Sequence, residues 1–182
     1  TGASTLTAGA ITLDELTQGA KNIALISNST INDDDDTGDA ITTSGILTLN
    51  SGGAIGNLGG AAGLNTDVGN LALTTTASSD VTVTEADGLD LATSNVSGNL
   101  TVTATTGNIT DSGTVTVDGT GTFTTSADDA TIDLNTLAVT GDITLATDDT
   151  NNDDNGHATI VNATGVNLTG LTDVGGDLSV TA

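Results

Sequence analysis

Short apolar triplets recur along this chain: an apolar residue, a small or polar one, then a second apolar one, with corners of Gly, Asn and Asp between them. They include 11–13, 23–25, 47–49, 71–73, 81–83, 89–91, 100–102, 115–117, 132–134, 137–139, 143–145, 166–168 and 178–180. Isolated Ile31, Ile55, Ile109 and Val174 stand between them. A period of two sends both apolar side chains of a triplet to one face of a strand and the middle residue to the other. The chain is therefore expected to fold as many short strands. Thr, Gly, Asn, Asp and Ser are poor residues for a helix interior, and the best helical candidate, Asp14-Glu-Leu-Thr-Gln18, is too short to matter.

Strands this short leave few architectures. A β-sandwich would want longer strands, hairpin turns and aromatic anchors, whereas Phe123 is the only aromatic residue besides His157. A right-handed parallel β-helix needs strands of a few residues, constant corners and an interior of stacked Leu, Ile and Val. Its corners would use Gly, Asn and Asp for left-handed backbone conformations. A repeat at fixed spacing is its sequence signature. Val96-Ser-Gly-Asn-Leu-Thr-Val-Thr-Ala104 returns 78 positions later as Val174-Gly-Gly-Asp-Leu-Ser-Val-Thr-Ala182, and 87–91 returns as 164–168 at an offset of 77. A weaker copy relates 11–13 to 89–91. With rungs of about 20 residues this super-repeat is close to four rungs, and the chain holds about nine, a rod on the order of 40 Å long. The expected organisation is one solenoid segment over 1–182, part of a larger repeat protein, with 51–65 as a looser rung or a loop.

The stretch 96–117 (V-S-G-N-L-T-V-T-A-T-T-G-N-I-T-D-S-G-T-V-T-V), followed by Gly121-Thr-Phe-Thr-Thr125, Ala130-Thr-Ile-Asp-Leu134 and Val139-Thr-Gly-Asp-Ile-Thr-Leu145, resembles the shaft repeats of filamentous-haemagglutinin-like adhesins. The resemblance covers about 89–182 well and 10–36 loosely. It implies a right-handed β-helix, secretion across a bacterial outer membrane by a two-partner route, and a role in adhesion or surface display. The family's secretion domain and its Asn-Pro motifs are not in this sequence, which has no proline.

Charge excludes several partner classes. The formal net charge is −23, and Lys21 is the one Lys or Arg in 182 residues. Phosphate backbones need cations to bind them, and an anionic membrane surface would repel this chain. With no Cys there is no disulfide framework, thiol chemistry or zinc-thiolate site. No apolar run reaches the ~18 residues of a membrane helix, and no signal peptide opens the chain. The ends read as cut from a longer protein.

Aspartate clusters are the first candidate chemistry: 33–36 with Asp39, Asp128-Asp129, Asp148-Asp149 and 151–156. Asn151, Asp153 and Asn155 before Gly156 copy the alternating oxygen ligands of a calcium loop, and Ca²⁺ is the one cofactor the sequence suggests. No acidic residue follows to complete such a loop, so solvated corners that also discourage side-by-side sheet association are preferred. Catalysis is not expected. A β-helix lyase would need basic residues, a sugar site would need aromatic platforms, and no aspartate pair stands out for hydrolysis. His157 is read as a solvated loop residue and Phe123 as interior filling. Thr82/Thr84, Thr101/Thr103, Thr114/Thr116 and Thr122/Thr124 suggest an outward threonine ladder of the kind that binds ice, but Ala24, Ala72, Asp90 and Asp133 interrupt the row as read from sequence. Asn28, Asn95, Asn99, Asn108, Asn162 and Asn167 open Asn-x-Ser/Thr sequons, which an Asn- and Thr-rich chain produces by chance.

The expected function is a non-enzymatic shaft of an extracellular or cell-surface bacterial adhesin or fibre. Its partners would be neighbouring rungs of the same or a longer chain, stacked head to tail, with no nucleic acid and no membrane insertion. The alternative is a calcium-binding surface-layer-type protein with Asp-rich corners.

Overall fold

The computed structural model describes residues 3–34, 38–57, 63–148, 150–151, 154–169 and 173–182. Among them there is no helix, and every strand pairing is parallel. The chain coils as a β-solenoid of about 8 turns, about 21 residues apart, against the nine rungs of about 20 expected. Asp14–Gln18 is not helical; Leu16–Thr17 within it is a strand.

Two columns of strands run the length of the solenoid. The first carries Ser4–Ala8, Ile23–Ser27, residues 46–51 and residues 70–75. It continues through the strand pairs Leu89–Leu91 with Ser94–Val96 and Ile109–Asp111 with Val115–Val117, then Ile132–Val139, Ala158–Asn162 and Leu178–Thr181. The second carries Ile11–Leu13, Ile31–Asp33, Ile55–Asn57, Val81–Glu85, Leu100–Ala104, Gly121–Asp128 and Ile143–Asp148. Leu168 and Asp173 end it as single bridges to Ile143 and Ala146. The triplet 166–168 is therefore not a strand.

Early turns have a third side. Leu16–Thr17 pairs with residues 41–42, which pair with 66–67. Residues 64–66 then pair with 83–85, so the third side merges into the second column at Glu85. Turn length varies along the chain, starting at 19 and 20 positions from Ser4 to Ile23 and from Ile11 to Ile31. Partners lie 24 to 26 positions apart from Ile23 to Leu71 and from Ile31 to Val81, and 19 to 21 apart from Val81 to Gly121 and from Leu89 to Ile109.

Stacking is driven by apolar ladders that leave water: Ile23–Leu47–Leu71–Leu91, Leu25–Leu49–Leu73, Val83–Val102–Phe123–Leu145 and Val117–Val139, every member at most 1 % exposed. Burying each Leu, Ile or Val side chain contributes about 1.5–3 kcal/mol. Inward polar residues finish the strands and bind the corner backbone. Ser51 donates to the Ser29 carbonyl at 2.8 Å, Thr43 to the Lys21 carbonyl at 2.7 Å and Thr147 to the Gly156 carbonyl at 2.6 Å. Each gives a corner carbonyl a side-chain donor, and the Gly156 carbonyl also accepts the Gly176 N–H at 2.9 Å.

The 78-residue recurrence is not a whole number of turns. Leu100–Ala104 lies in the second column, whereas its copy, Leu178–Thr181, continues the first through Ala158, Ile132 and Ile109 back to Leu89. Four turns thus carry the chain 89 positions, from Leu89 to Leu178. The added length lies mainly between Ile143–Asp148 and Ala158–Asn162, and partners across it are 25 to 27 positions apart.

Corner glycines also differ from expectation. Of the described glycines only Gly38 has a positive φ, 84°; the other positive values fall on Ala77, Ser78, Asp129 and Asp154. Close approach is what most stacked glycines serve: a Cβ on Gly119 would meet the Gly98 carbonyl oxygen at 2.6 Å, and one on Gly141 the Gly119 carbonyl oxygen at 2.6 Å.

Candidate functional site

The most unusual chemistry lies where the third side ends. Glu85 closes the run Val81-Thr-Val-Thr-Glu, whose alternation turns Val81, Val83 and Glu85 inward. Its carboxyl is wholly buried. Oε2 lies 2.5 Å from the Thr66 hydroxyl, and Oε1 accepts the Val68 N–H at 2.8 Å. These contacts reach across one turn and fasten the end of the third side to the second column. Burial pushes the Glu85 carboxyl up to about 8, against the bonds from Thr66 and Val68, and the charge of Asp87 adds to the rise.

Asp67 and Asp87 complete the cluster, each offering a carboxylate oxygen within 4.8 Å of one on Glu85 and of each other. Asp67 is half-buried because it is the outward neighbour of inward Thr66 and Val68; Asp87 is exposed. Asp39 is raised as well, chiefly by burial and then by Asp67 and Asp87. Beside them a groove of about 450 Å³ runs over the third side, lined by Thr17, Thr42, Thr43, Ser44, Asp67 and Asp87. Both Glu85 oxygens are engaged, by Thr66 and by Val68. Burial first, and the charge of Asp87 with it, favours the protonated form of Glu85. Sequence reading misses it because Glu85 looks like any exposed corner acid; the signal available is its phase, two positions after Val83 on the inward face.

The calcium candidate falls only partly within the described residues. Asp153 lies outside the described residues, and Asn151 and Asn155 are exposed. The Asn151 N–H donates to Asp128 at 3.2 Å, and the Asn155 carbonyl accepts the His157 N–H at 2.8 Å. Asp35 and Asp36 also fall outside the described residues, while Asp33 is buried and accepts the Asn65 N–H at 3.2 Å.

Other corner acids and amides are brackets between turns, not merely solvated charges. Asp111 accepts the backbone N–H groups of Asn135 and Thr136, each at 2.8 Å. Asp80 accepts that of Asn99 at 2.8 Å, Asn99 that of Thr120 at 2.9 Å and Asn108 that of Thr131 at 2.8 Å. His157 is exposed, yet its Nδ1 accepts the Asp177 N–H at 2.8 Å. Of the sequon asparagines, Asn162 is buried and the other five are exposed.

The threonine rows need a correction. Ala24, Ala72, Asp90 and Asp133 all lie in the first column, as does Thr116. In the second column Thr82, Thr101, Thr122 and Thr144 stack without interruption, beside Thr84, Thr103 and Thr124. Reading in one dimension mixes two faces of the solenoid.

A family described as repeats of unknown function (DUF5649) matches residues 78–146. No curated protein and no solved structure matches the chain.

Proposed function

We propose that this chain is a non-enzymatic structural shaft, a stretch of β-solenoid that extends a bacterial cell-surface or secreted adhesin, or an extracellular fibre. The observation that carries the reading is the stacking of buried apolar ladders from turn to turn, Ile23–Leu47–Leu71–Leu91 in one column and Val83–Val102–Phe123–Leu145 in the other. A solenoid whose turns contact only their neighbours gains length by adding turns, which is what a shaft needs, and its proposed partners are neighbouring turns stacked head to tail.

The match to repeats of unknown function supports a repeated unit, and the resemblance to haemagglutinin-like shafts supports the surface setting. The non-enzymatic part of the proposal is supported by Glu85: the one carboxyl among the described residues shifted to about 8 is buried away from substrate. Electron microscopy and fibre diffraction test the shaft, with a rod and an axial spacing of about 4.8 Å as the expected result. A globular particle would end the proposal. Antibody labelling of intact cells making the full-length protein tests the surface setting, which fails if label enters only after permeabilisation.

A further inference from the structure

We propose that the joint between the three-sided and two-sided turns is locked by a single proton carried on Glu85, and that loss of this proton opens the joint. The geometry is specific to one place. Residues 64–66 and 100–104 flank Val81–Glu85 on either side, so Glu85 sits between the last strand of the third side and the first turn without one. Its carboxyl spans to Thr66 and to Val68, the only described side-chain bonds that tie the third side's end to the second column's Glu85. The backbone around it is closed too: Ala86 N–H donates to the Thr66 carbonyl and Thr105 N–H to the Glu85 carbonyl, both at 2.8 Å.

Every charged group facing this carboxyl is acidic. Asp67 faces it from Leu64–Thr75 and Asp87 from the segment after Val81–Glu85. Asp39 stands beyond them, ahead of Ile41–Ser51, and feels both. Leu100–Ala104 presents Ala104 above it and no charge. Asp33 lies on the far side of Leu64–Thr75, occupied with the Asn65 N–H. No basic side chain contributes to Glu85. A negative charge here would be buried with no cation beside it and repelled by Asp87, a cost that the bonds from Thr66, Val68 and the Asp87 backbone only partly offset, so the joint closes around the neutral acid.

On ionisation the proton passes to bulk water and no covalent bond changes. The shift to about 8 from 4.5 sets the direction: the closed joint keeps a proton that the opened one releases, so opening becomes easier as pH rises from about 4.5 to about 8 and levels off above. With one proton released per opening, the opening constant rises about tenfold per pH unit in that window.

The test needs no variant to begin. Glu15 and Glu85 are the only glutamates, so glutamate-selective ¹³C labelling gives two side-chain carboxyl signals. One is expected to remain protonated past neutral pH and to be missing from Glu85→Gln. Hydrogen exchange at the Val68 and Ala86 amides, corrected for base catalysis, should show the tenfold slope in the wild type and lose it in Glu85→Gln. Should Glu85→Gln not fold, Asp87→Asn serves instead, with the titration of the buried signal moved to lower pH. Two signals that both lose their protons in the ordinary carboxylate range overturn the proposal, as does an unchanged exchange slope in Glu85→Gln or an unmoved titration in Asp87→Asn. Protection restored at alkaline pH by calcium in the wild type would make a cation the lock and also overturn it.

Discussion

Asn162 stands in for a strand at Val139: its Oδ1 accepts the Val139 N–H at 2.8 Å and its Nδ2 donates to the Val139 carbonyl at 3.0 Å. Asn162 pairs with Leu137 at the end of a ladder whose register shifts after Leu134, and the chain leaves the sheet there. A buried side-chain amide thus replaces the peptide that the next turn does not supply. Thr164 also donates to the Val139 carbonyl, so Asn162→Leu would orphan chiefly the Val139 N–H. The expected loss is about 1–3 kcal/mol, read as a lower urea midpoint at unchanged slope. A variant as stable as the wild type would show that the amide is dispensable.

Phe123 and Gly121 share one space. Their inward counterparts on neighbouring turns are Val83 and Val81, Val102 and Leu100, and Leu145 and Ile143. A Cβ on Gly121 would meet Phe123 Cε2 at 3.0 Å and Val139 Cγ2 at 3.4 Å, so the ring occupies what a side chain at 121 fills elsewhere. Phe123→Ala should cost about 3–5 kcal/mol, and Gly121→Val alone about 1–3 kcal/mol by overpacking. The double change Gly121→Val with Phe123→Val should cost less than the sum of its two single changes. Additivity in that double-mutant cycle would refute the shared space.

This pair also marks how far the sequence can be read. Phe123 is legible as interior filling from its alternation, and so are most strands, because Leu, Ile and Val at period two have one physical explanation. Strands at Leu16–Thr17, Ser94–Val96 and Ala158–Asn162 are not legible. Their inward or corner positions use Ser94, Thr and Asn162, residue types that this chain also places outward. The 78-residue recurrence preserves residue order but not phase, because extra corner residues move Leu178 to the first column. Phase decides which face a residue takes, so both Glu85 and the unbroken threonine rows stay hidden.

The stacked corner of Gly98, Gly119 and Gly141 should separate close approach from general glycine flexibility. Gly119 donates to the Gly98 carbonyl at 3.0 Å and Gly141 to the Gly119 carbonyl at 2.9 Å. A methyl at Gly119 or Gly141 has backbone in its way, so Gly119→Ala and Gly141→Ala should each cost about 1–3 kcal/mol. A Cβ on Gly69 would meet no atom within 4 Å, and its φ is not positive, so Gly69→Ala should gain about 0.4–1 kcal/mol by restricting the unfolded chain. Equal losses at all three sites would remove close approach as the cause.

Calcium removal provides a further check. Asp80 and Asp111 direct carboxylate oxygens to backbone N–H groups of the next turn, which holds the corners together without a cation. Thermal unfolding with and without a chelator is therefore expected to give the same Tm. A large fall on chelation would favour the calcium-dependent surface-layer alternative over the plain shaft.

Carboxylate repulsion beside the groove should be visible in the pH dependence of Asp67→Asn. Asp39 is raised by burial first and by Asp67 and Asp87 after it. A raised acid binds its proton more tightly in the folded state, so its contribution favours folding at low pH and is lost as pH rises through the folded-state value. Removing the Asp67 charge lifts one of these penalties and should raise Tm at pH 8. At a pH of about 3, below the ordinary carboxylate values, the repelling groups are mostly neutral and the gain should disappear. A gain of the same size at both pH values would mean that the amide simply packs better than the carboxylate, and repulsion would not be its source.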